Sequence, residues 1–421
     1  MTSDNDRLRS LREIELEVLE EGREWMRQRL ERKLQEEAHR QGGVFPPQRQ
    51  KGSAPTKAVH ESAKRRGRVR LEVWHGQDPA DEHWGCPIRE KWDLRAHQQM
   101  SPVLEEKLAF TATLTGSYEA AAQLAGKWGS EVDDSVIYAL VQRAGRKAEA
   151  QTQERLKQPP QESQPQRAAS ELALLMVDGW FARFRGPGWG EDQTEKDRVE
   201  WHEIKNGVFY LHEQAGRTEG GRGVIADKIV VRCQGDPTDL GQRLHWEALR
   251  GGLARAKEKL VLGDGIAWIW NLKAHRWPEA KELLDFWHGG QHLWSLGRAC
   301  NGMDEAKAKP WVEKRLHGLR HGREQRVLKE ISKLKASRSQ AGKVVHKDKN
   351  YFAGHAQRMN YKEIADRGWP IGSGPVESSC RQDQCRFKRP GQSWTPSGFG
   401  NLSALDQARR NNHWDELWLI A

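Results

Sequence analysis

The chain has 421 residues, of which 30% are charged, with a formal net charge of +10 and a pI of about 9.3. This length exceeds one ordinary hydrophobic core and predicts two to four domains, while the basic excess favours a polyanionic partner over a small acidic ligand. Scattered cysteines disfavour a disulfide framework, no apolar run approaches the ~20 residues of a membrane span, and the charged N-terminus is not typical of a signal peptide. We therefore expect a soluble, intracellular protein.

A charged helix is predicted over residues 1–40, from apolar residues at helical spacing. Leu11, Val18 and Trp25 fall seven apart, but the heptads are too few to define a coiled coil. Packing on a partner and packing on its own domain both remain open.

Residues 41–100 are predicted to be a basic linker followed by a Trp-rich segment. Gly and Pro pairs and the run Lys64–Arg68 are typical of a tether, and a basic arm of this kind can also lie along DNA. His75, His83 and Cys86 lack a CxxC pair, which favours ordinary packing over zinc.

Residues 101–157 are predicted to form three helices separated by Gly-containing turns, with Ser117 and Asp133 as N-caps. This pattern is typical of a helix-turn-helix DNA-binding unit, and a plain structural bundle is the alternative. Residues 158–170, rich in Gln and Pro, predict a linker.

From residue 171 to 278 the pattern changes to strands and one helix, which predicts the first part of a mixed α/β core. Leu172–Val177 and Lys259–Leu262 are buried strands. Val199–Lys205 and Val208–His212 predict a hairpin that turns at Gly207.

Residues 279–369 are predicted to be an all-α insertion, after which residues 370–421 complete the core. Residues 291–370 hold 18 Lys and Arg against 8 Asp and Glu, a net charge of +10 in this stretch alone. A localised basic block of this kind favours nucleic acid as the partner, and a solvated helix face is the alternative.

Three carboxylates mark the points where predicted core elements begin or end. Asp178 follows the strand Leu172–Val177, Asp264 follows the strand that ends at Gly263, and Glu377 lies in the first turn of a helix that Pro375 opens. Hard cations such as Mg²⁺ prefer carboxylate oxygens, and two ions about 4 Å apart can activate a water or a 3′-hydroxyl on a scissile phosphate. The sequence predicts such a site.

Candidate DNA contacts surround these acids. Four cations follow Glu377 and are candidates for phosphate contact, namely Arg381, Arg386, Lys388 and Arg389. Trp294 and Trp394 are candidates for stacking on unpaired bases, with core packing as the alternative. His288 and His292 lie four apart on one helix face without a third ligand nearby, so we interpret His288 as a DNA contact or a packed histidine and not as a zinc ligand.

The chain resembles the DDE transposases of bacterial insertion sequences, and the ISKra-type family in particular. The resemblance runs from about Ser101 to the C-terminus. It is carried by Val177–Gly179, by Leu262–Gly265 with Trp268–Leu272, by Trp201–Lys205, by Leu284–His288 with His292–Trp294, by Tyr351–Phe352 with Arg358–Tyr361, by Pro370–Ser378 and by Trp414–Trp418.

The resemblance implies an RNase H-like core in which Asp178, Asp264 and Glu377 bind Mg²⁺, with Mn²⁺ as a substitute. It implies binding to the element's terminal repeats, cleavage at the ends and joining of the 3′-hydroxyl to target DNA, by a homo-oligomer in the cytoplasm, associated with the nucleoid. Asp285 and His288 match an Asp-x-x-His signature, which assigns a site-positioning role to Asp285. The CxxC of many relatives is absent here.

Two alternatives to a transposase remain open at this point. A transposase-derived DNA-binding protein without catalysis would keep the fold and the basic block. An RNase H-like nuclease would cut without joining.

Overall fold

The computed structural model describes residues 10–42, 56–61, 68–73, 76–77, 84–86, 88, 91–92, 100–163, 169–190, 198–335 and 337–418. The chain forms two compact units. The first comprises Met1–Ala144 with Ile420–Ala421, and the second comprises Gly145–Leu419. Within the described residues, no helix is long and apolar enough to cross a membrane.

The first unit begins with helix α1 (Leu11–Gly42) and an antiparallel hairpin of β1 (Thr56–Glu61) and β2 (Arg68–Val73). Two short strands follow, β3 (Gly76–Gln77) and β4 (Trp84–Gly85). A small core is formed by Ala38, Val69, Leu71, Cys86 and Ile88. The prediction of a linker over residues 41–100 is therefore corrected in part, because alternating apolar residues of β2 are buried here. His75 and His83 lie outside the described residues.

Three helices follow in the predicted region, α2 (Pro102–Leu114), α3 (Tyr118–Lys127) and α4 (Asp134–Leu156). The Ser117 side chain accepts the Ala120 N–H at 3.0 Å and caps α3, as the sequence predicts.

The second unit is built on a five-stranded sheet of β5 (Ser170–Arg185), β6 (Val199–Leu211), β9 (Ile229–Gln234), β10 (Ala256–Gly263) and β11 (Lys281–Leu284). Its order is β11-β10-β5-β6-β9. The pairs β5–β6 and β6–β9 are antiparallel, and β10 lies parallel to both β5 and β11. Three antiparallel strands extended by two parallel ones define an RNase H-like core, which confirms the predicted fold class. A small hairpin, β7 (Ala215–Arg217) and β8 (Gly223–Ile225), precedes β9.

The predicted turn at Gly207 is wrong. Strand β6 runs unbroken, and its partner in the hairpin is β5, with Gly207 opposite Val177. A Cβ on Gly207 would lie 2.6 Å from Leu244 of helix α5 (Pro237–Arg250). Glycine is present because the helix approaches the strand closely, and not because the chain turns.

Helix α6 (Ala267–Arg276) connects β10 to β11. The sequence predicts helices from residue 279, but Lys281–Leu284 pairs with β10 as the fifth strand, so the insertion begins only at Phe286. It contains α7 (Phe286–Cys300), α8 (Glu305–Arg320), α9 (Glu324–Ser332), α10 (Gln340–Gly354) and α11 (Tyr361–Asp366). The core then resumes with α12 (Gly374–Phe387), α13 (Pro396–Arg410) and α14 (Trp414–Trp418).

Candidate active site

Asp178 and Asp264 lie just beyond the last paired residues of two adjacent parallel strands. In the pair of β5 and β10, Leu262 is opposite Met176, and each acid lies two residues further along its chain. Strand β10 ends at Gly263, whereas β5 continues to Arg185. The two carboxylates therefore lie where the parallel part of the sheet ends, at the edge where such folds place their ligands.

Glu377 reaches this edge from α12, which packs against β5. Pro375 lies in the first turn of α12, as predicted, and the Ser373 hydroxyl donates to Glu377 Oε1 at 3.3 Å. The first turn of a helix favours a carboxylate because its N–H groups and the helix dipole are positive there.

The pKa of Asp178 reports how close these acids are. Burial, together with the charges of Asp264 and Glu377, raises the pKa of Asp178 to about 6, although hydrogen bonds from the Gly179 N–H and the Cys380 thiol act in the opposite direction. Like charges that interact at partly buried positions favour a cation between them.

His288 faces the same carboxylates. Desolvation lowers the pKa of His288, as does His292, while the charges of Asp264, Asp285 and Glu377 raise it. The balance favours a neutral imidazole at pH 7. A contact between His288 and DNA stays a prediction.

Asp285 is fully buried and connects three elements of the site. Its backbone N–H donates to the Gly263 carbonyl at 2.8 Å, next to Asp264. Its Oδ1 atom accepts the His288 N–H at 2.5 Å, and its Oδ2 atom accepts the Ser373 N–H at 2.5 Å, at the entry to the Glu377 helix. One buried side chain therefore connects the end of β10, the start of α7 and the entry to α12.

The donor set suits a hard cation. Among the residues that the structure describes, no group of three or more His, Cys, Asp or Glu side chains is placed to hold a metal ion by itself. Mg²⁺ is commonly held by one or two carboxylates, several waters and substrate phosphates, so neighbouring acids without a closed cage fit it better than they fit zinc. Asp178, Asp264 and Glu377 are the residues that would hold it.

The predicted DNA contacts separate into exposed and buried residues. Arg381, Lys388 and Arg389 are exposed, and the Lys388 amine lies 5.6 Å from the centre of the Trp201 ring. Trp294 is partly buried, with the Arg298 guanidinium over its ring. For these four residues DNA contact stays a prediction.

Two of the predicted contacts are corrected, because Arg386 and Trp394 are both buried. Trp394 forms a backbone bridge to the end of β5, and its indole N–H donates to the Phe387 carbonyl at 2.8 Å. The Arg386 guanidinium lies over the Trp394 ring. Core packing therefore explains both residues, and neither is available to DNA.

Sequence reasoning assigned no site role to Tyr351 or His355 of the insertion, although Tyr351 belongs to one of the segments that carry the resemblance. The Tyr351 hydroxyl donates to the Asp264 carbonyl at 2.8 Å. The His355 imidazole packs against the next residue of the turn, since a Cβ on Gly265 would lie 2.9 Å from its Nε2 atom, and desolvation by burial lowers the pKa of His355. Only the fold brings these residues to the turn, since 87 positions separate Tyr351 from Asp264.

A buried ion network beneath α12 was also missed. Arg232, fully buried, donates to Asp406 at 2.6 Å and lies 3.5 Å from Asp383. Arg410 pairs with Asp383 at 2.8 Å, and Asn206 donates to the same carboxylate at 2.5 Å. Because Asp383 lies on the Glu377 helix, this network fixes α12 on the sheet.

No family model matches the chain, and no curated protein matches it. Among solved structures, a Drosophila P element transposase strand transfer complex is similar, with 11% identity over 79% of this chain and 82% of that chain and a TM-score of 0.27. The assignment of the RNase H-like class rests on the strand order described above.

Proposed function

We propose that the chain is a Mg²⁺-dependent DDE transposase that binds the terminal repeats of an insertion sequence, cleaves DNA at the element ends and joins the 3′-hydroxyl to target DNA. What supports the proposal is that Asp178 and Asp264 lie just beyond the last paired residues of two adjacent parallel strands, and that the charges of Asp264 and Glu377 both act on Asp178. The motifs around these acids are those that resemble the ISKra-type family.

Each residue of the proposed site has a separate role in the reaction. Asp178 and Asp264 present oxygens from the sheet, and Glu377 presents its carboxylate from the facing helix. Bound Mg²⁺ would lower the pKa of the attacking water or 3′-hydroxyl and stabilise the leaving oxygen. Asp285 holds the Asp264 turn and the Glu377 helix in one geometry, which matters because a small misplacement of reacting groups is costly in rate.

DNA binding is assigned to basic surfaces and to the helical region. The insertion carries much of the basic block of residues 291–370, and Arg381, Lys388 and Arg389 lie exposed on or just after the Glu377 helix. Helices α2 to α4 supply a second region, for end recognition. Joining two ends favours a homo-oligomer on DNA.

The test uses the purified full chain and duplexes taken from the DNA that flanks its gene. We expect cleavage with Mg²⁺ or Mn²⁺, and we expect Asp178→Asn, Asp264→Asn and Glu377→Gln each to abolish cleavage while DNA binding persists. Asp227→Asn, an exposed acid of the same unit, is the matched control. Full cleavage by any of the three acid variants would contradict the proposal.

Pre-cleaved ends incubated with plasmid then separate the related functions. Strand-transfer products support a transposase. Cleavage without joining supports an RNase H-like nuclease, and tight binding without cleavage supports a transposase-derived DNA-binding protein.

A further inference from the structure

Helix α10 of the insertion touches the turn that carries Asp264. Tyr351 and His355 lie four residues apart, on one side of the helix end. The Tyr351 hydroxyl donates to the Asp264 carbonyl, and the His355 imidazole packs against Gly265. Gly265 has φ +105°, and a Cβ there would lie 2.8 Å from the Tyr351 ring and 2.9 Å from the His355 imidazole. The turn is therefore pressed directly against these two side chains.

Helix α7 also contacts the Tyr351 ring. Its ring stacks on His292 of α7, with centroids 3.6 Å apart and planes 19° from parallel. His292 Nδ1 lies 2.9 Å from Asp348 Oδ1, and Asp348 is only 2% exposed. Since a carboxylate accepts, Nδ1 carries the proton and the imidazole orientation is fixed. The stack prevents the Tyr351 ring from swinging away from Asp264.

The end of α10 is anchored to the edge of the sheet. Arg358, which follows the helix, pairs with Glu282 of β11 and lies over the Trp270 ring of α6 at 4.5 Å. These contacts attach the end of α10 to the same sheet that carries Asp178.

We propose that Tyr351 and His355 are positioning residues through which the insertion fixes Asp264 in its cation-binding geometry. Asp264 Oδ1 accepts the Ile266 N–H at 3.0 Å, so the backbone of the turn sets the direction of the carboxylate. The insertion is in this sense part of the acidic centre, in addition to any DNA surface it carries. The catalytic consequence rests on the function proposed above.

The first test is Tyr351→Phe, which removes the hydroxyl and keeps the stacked ring. Tyr361→Phe is the matched control, since Tyr361 is buried in the same insertion and its hydroxyl has no hydrogen-bond partner among the described residues. Mn²⁺ is titrated calorimetrically into each full-length protein. We expect about tenfold weaker Mn²⁺ binding for Tyr351→Phe, as loss of one hydrogen bond implies, and no change for Tyr361→Phe. Wild-type Mn²⁺ affinity in Tyr351→Phe would overturn the inference.

A second readout separates failure of this inference from failure of the proposed function. If wild-type protein binds no Mn²⁺ and cleaves no DNA, the proposed function fails, yet hydrogen exchange still tests the contact. The Ile266 amide, which donates to Asp264, should exchange about tenfold faster in Tyr351→Phe than in Tyr361→Phe. Equal exchange in the two variants would overturn the inference even if both cleave DNA.

Discussion

Asp285 accepts the backbone N–H of Ser373 at 2.5 Å, across 88 residues of sequence and across the whole helical insertion. The same carboxylate accepts the N–H of His288, and the backbone N–H of Asp285 donates to the Gly263 carbonyl. Asp285 thus links the start of the helical insertion to its end, where the chain returns to the core. The relative position of Asp264 and Glu377 depends on this closure.

The first prediction concerns Asp285→Asn. An amide keeps one acceptor oxygen but places a donor against the N–H of either Ser373 or His288, so one charge-assisted bond is removed in a buried place. We expect a loss of about 2 kcal/mol in the free energy of unfolding, measured with urea.

The control is Asp304→Asn, at the cap of α8, where the side chain accepts the Lys307 N–H. Asn caps helices as well as Asp, so little change is expected there. Equal losses in Asp285→Asn and Asp304→Asn would show that Asp285 is only a helix cap.

The second prediction concerns Asp178→Asn without metal. The folded-state pKa of Asp178 is raised to about 6, above its unfolded value, so ionised Asp178 destabilises the fold above pH 6. In EDTA at pH 7.5 we expect the variant to be more stable by about 1–3 kcal/mol. This advantage shrinks as the pH falls towards 4, because the wild-type carboxyl then takes up its proton. A variant less stable than wild type at pH 7.5 would contradict the prediction.

The third prediction concerns the ion network beneath α12. Burial by itself raises the pKa of Asp406, but Arg232, Arg410 and Arg409 outweigh it and hold the pKa below its usual range. A lowered pKa contributes stability above the unfolded value, near pH 4, and that contribution is lost at lower pH.

Asp406→Asn should therefore cost about 3–5 kcal/mol at pH 7, and the difference from wild type should narrow below pH 4. Asp366→Asn, which removes an exposed pair with Lys362, serves as the control and should cost less than about 1 kcal/mol. Similar losses from both substitutions, measured by denaturant unfolding, would argue against a stabilising role of the network.

The fourth prediction concerns the exposed cations near Glu377. Replacing Arg381, Lys388 and Arg389 by Gln should weaken binding to a flanking-DNA duplex and lower the slope of log K against log salt by about 0.9 for each phosphate that the variant no longer neutralises. The control replaces three exposed cations elsewhere in the same unit, Lys157, Lys257 and Arg217. If the slope falls by the same amount in the control variant, the weaker DNA binding reflects the loss of net charge and not the loss of a particular binding surface.

Much of the fold is readable from the sequence because its signals are local. Buried apolar runs predict β5 and β10, and Pro375 predicts the start of the Glu377 helix. Strand β11 escapes prediction because its four residues, Lys281–Leu284, are too few for a periodic pattern. Gly207 misleads the prediction because glycine is needed there to let Leu244 pack closely, and Leu244 lies on a different element, helix α5.

The site residues show the same contrast between local sequence signals and contacts that form only in the fold. Acids at strand ends leave a local signal, whereas Tyr351 reaches the site through a backbone carbonyl and His355 through packing against Gly265, and neither contact requires a particular residue type at its partner position in the sequence. The burial of Trp394 and Arg386 likewise depends on packing against β5 and Phe387, which lies outside any local pattern. Such contacts are visible only in three dimensions.

The most direct test of the central claim, that the three carboxylates form one cation site, is a calorimetric Mn²⁺ titration of wild type, Glu377→Gln and the exposed control Glu363→Gln. We expect Mn²⁺ to bind wild type and Glu363→Gln alike, and to bind Glu377→Gln at least about tenfold more weakly, because one oxygen ligand is removed. Equal Mn²⁺ affinity in wild type and Glu377→Gln would contradict the account.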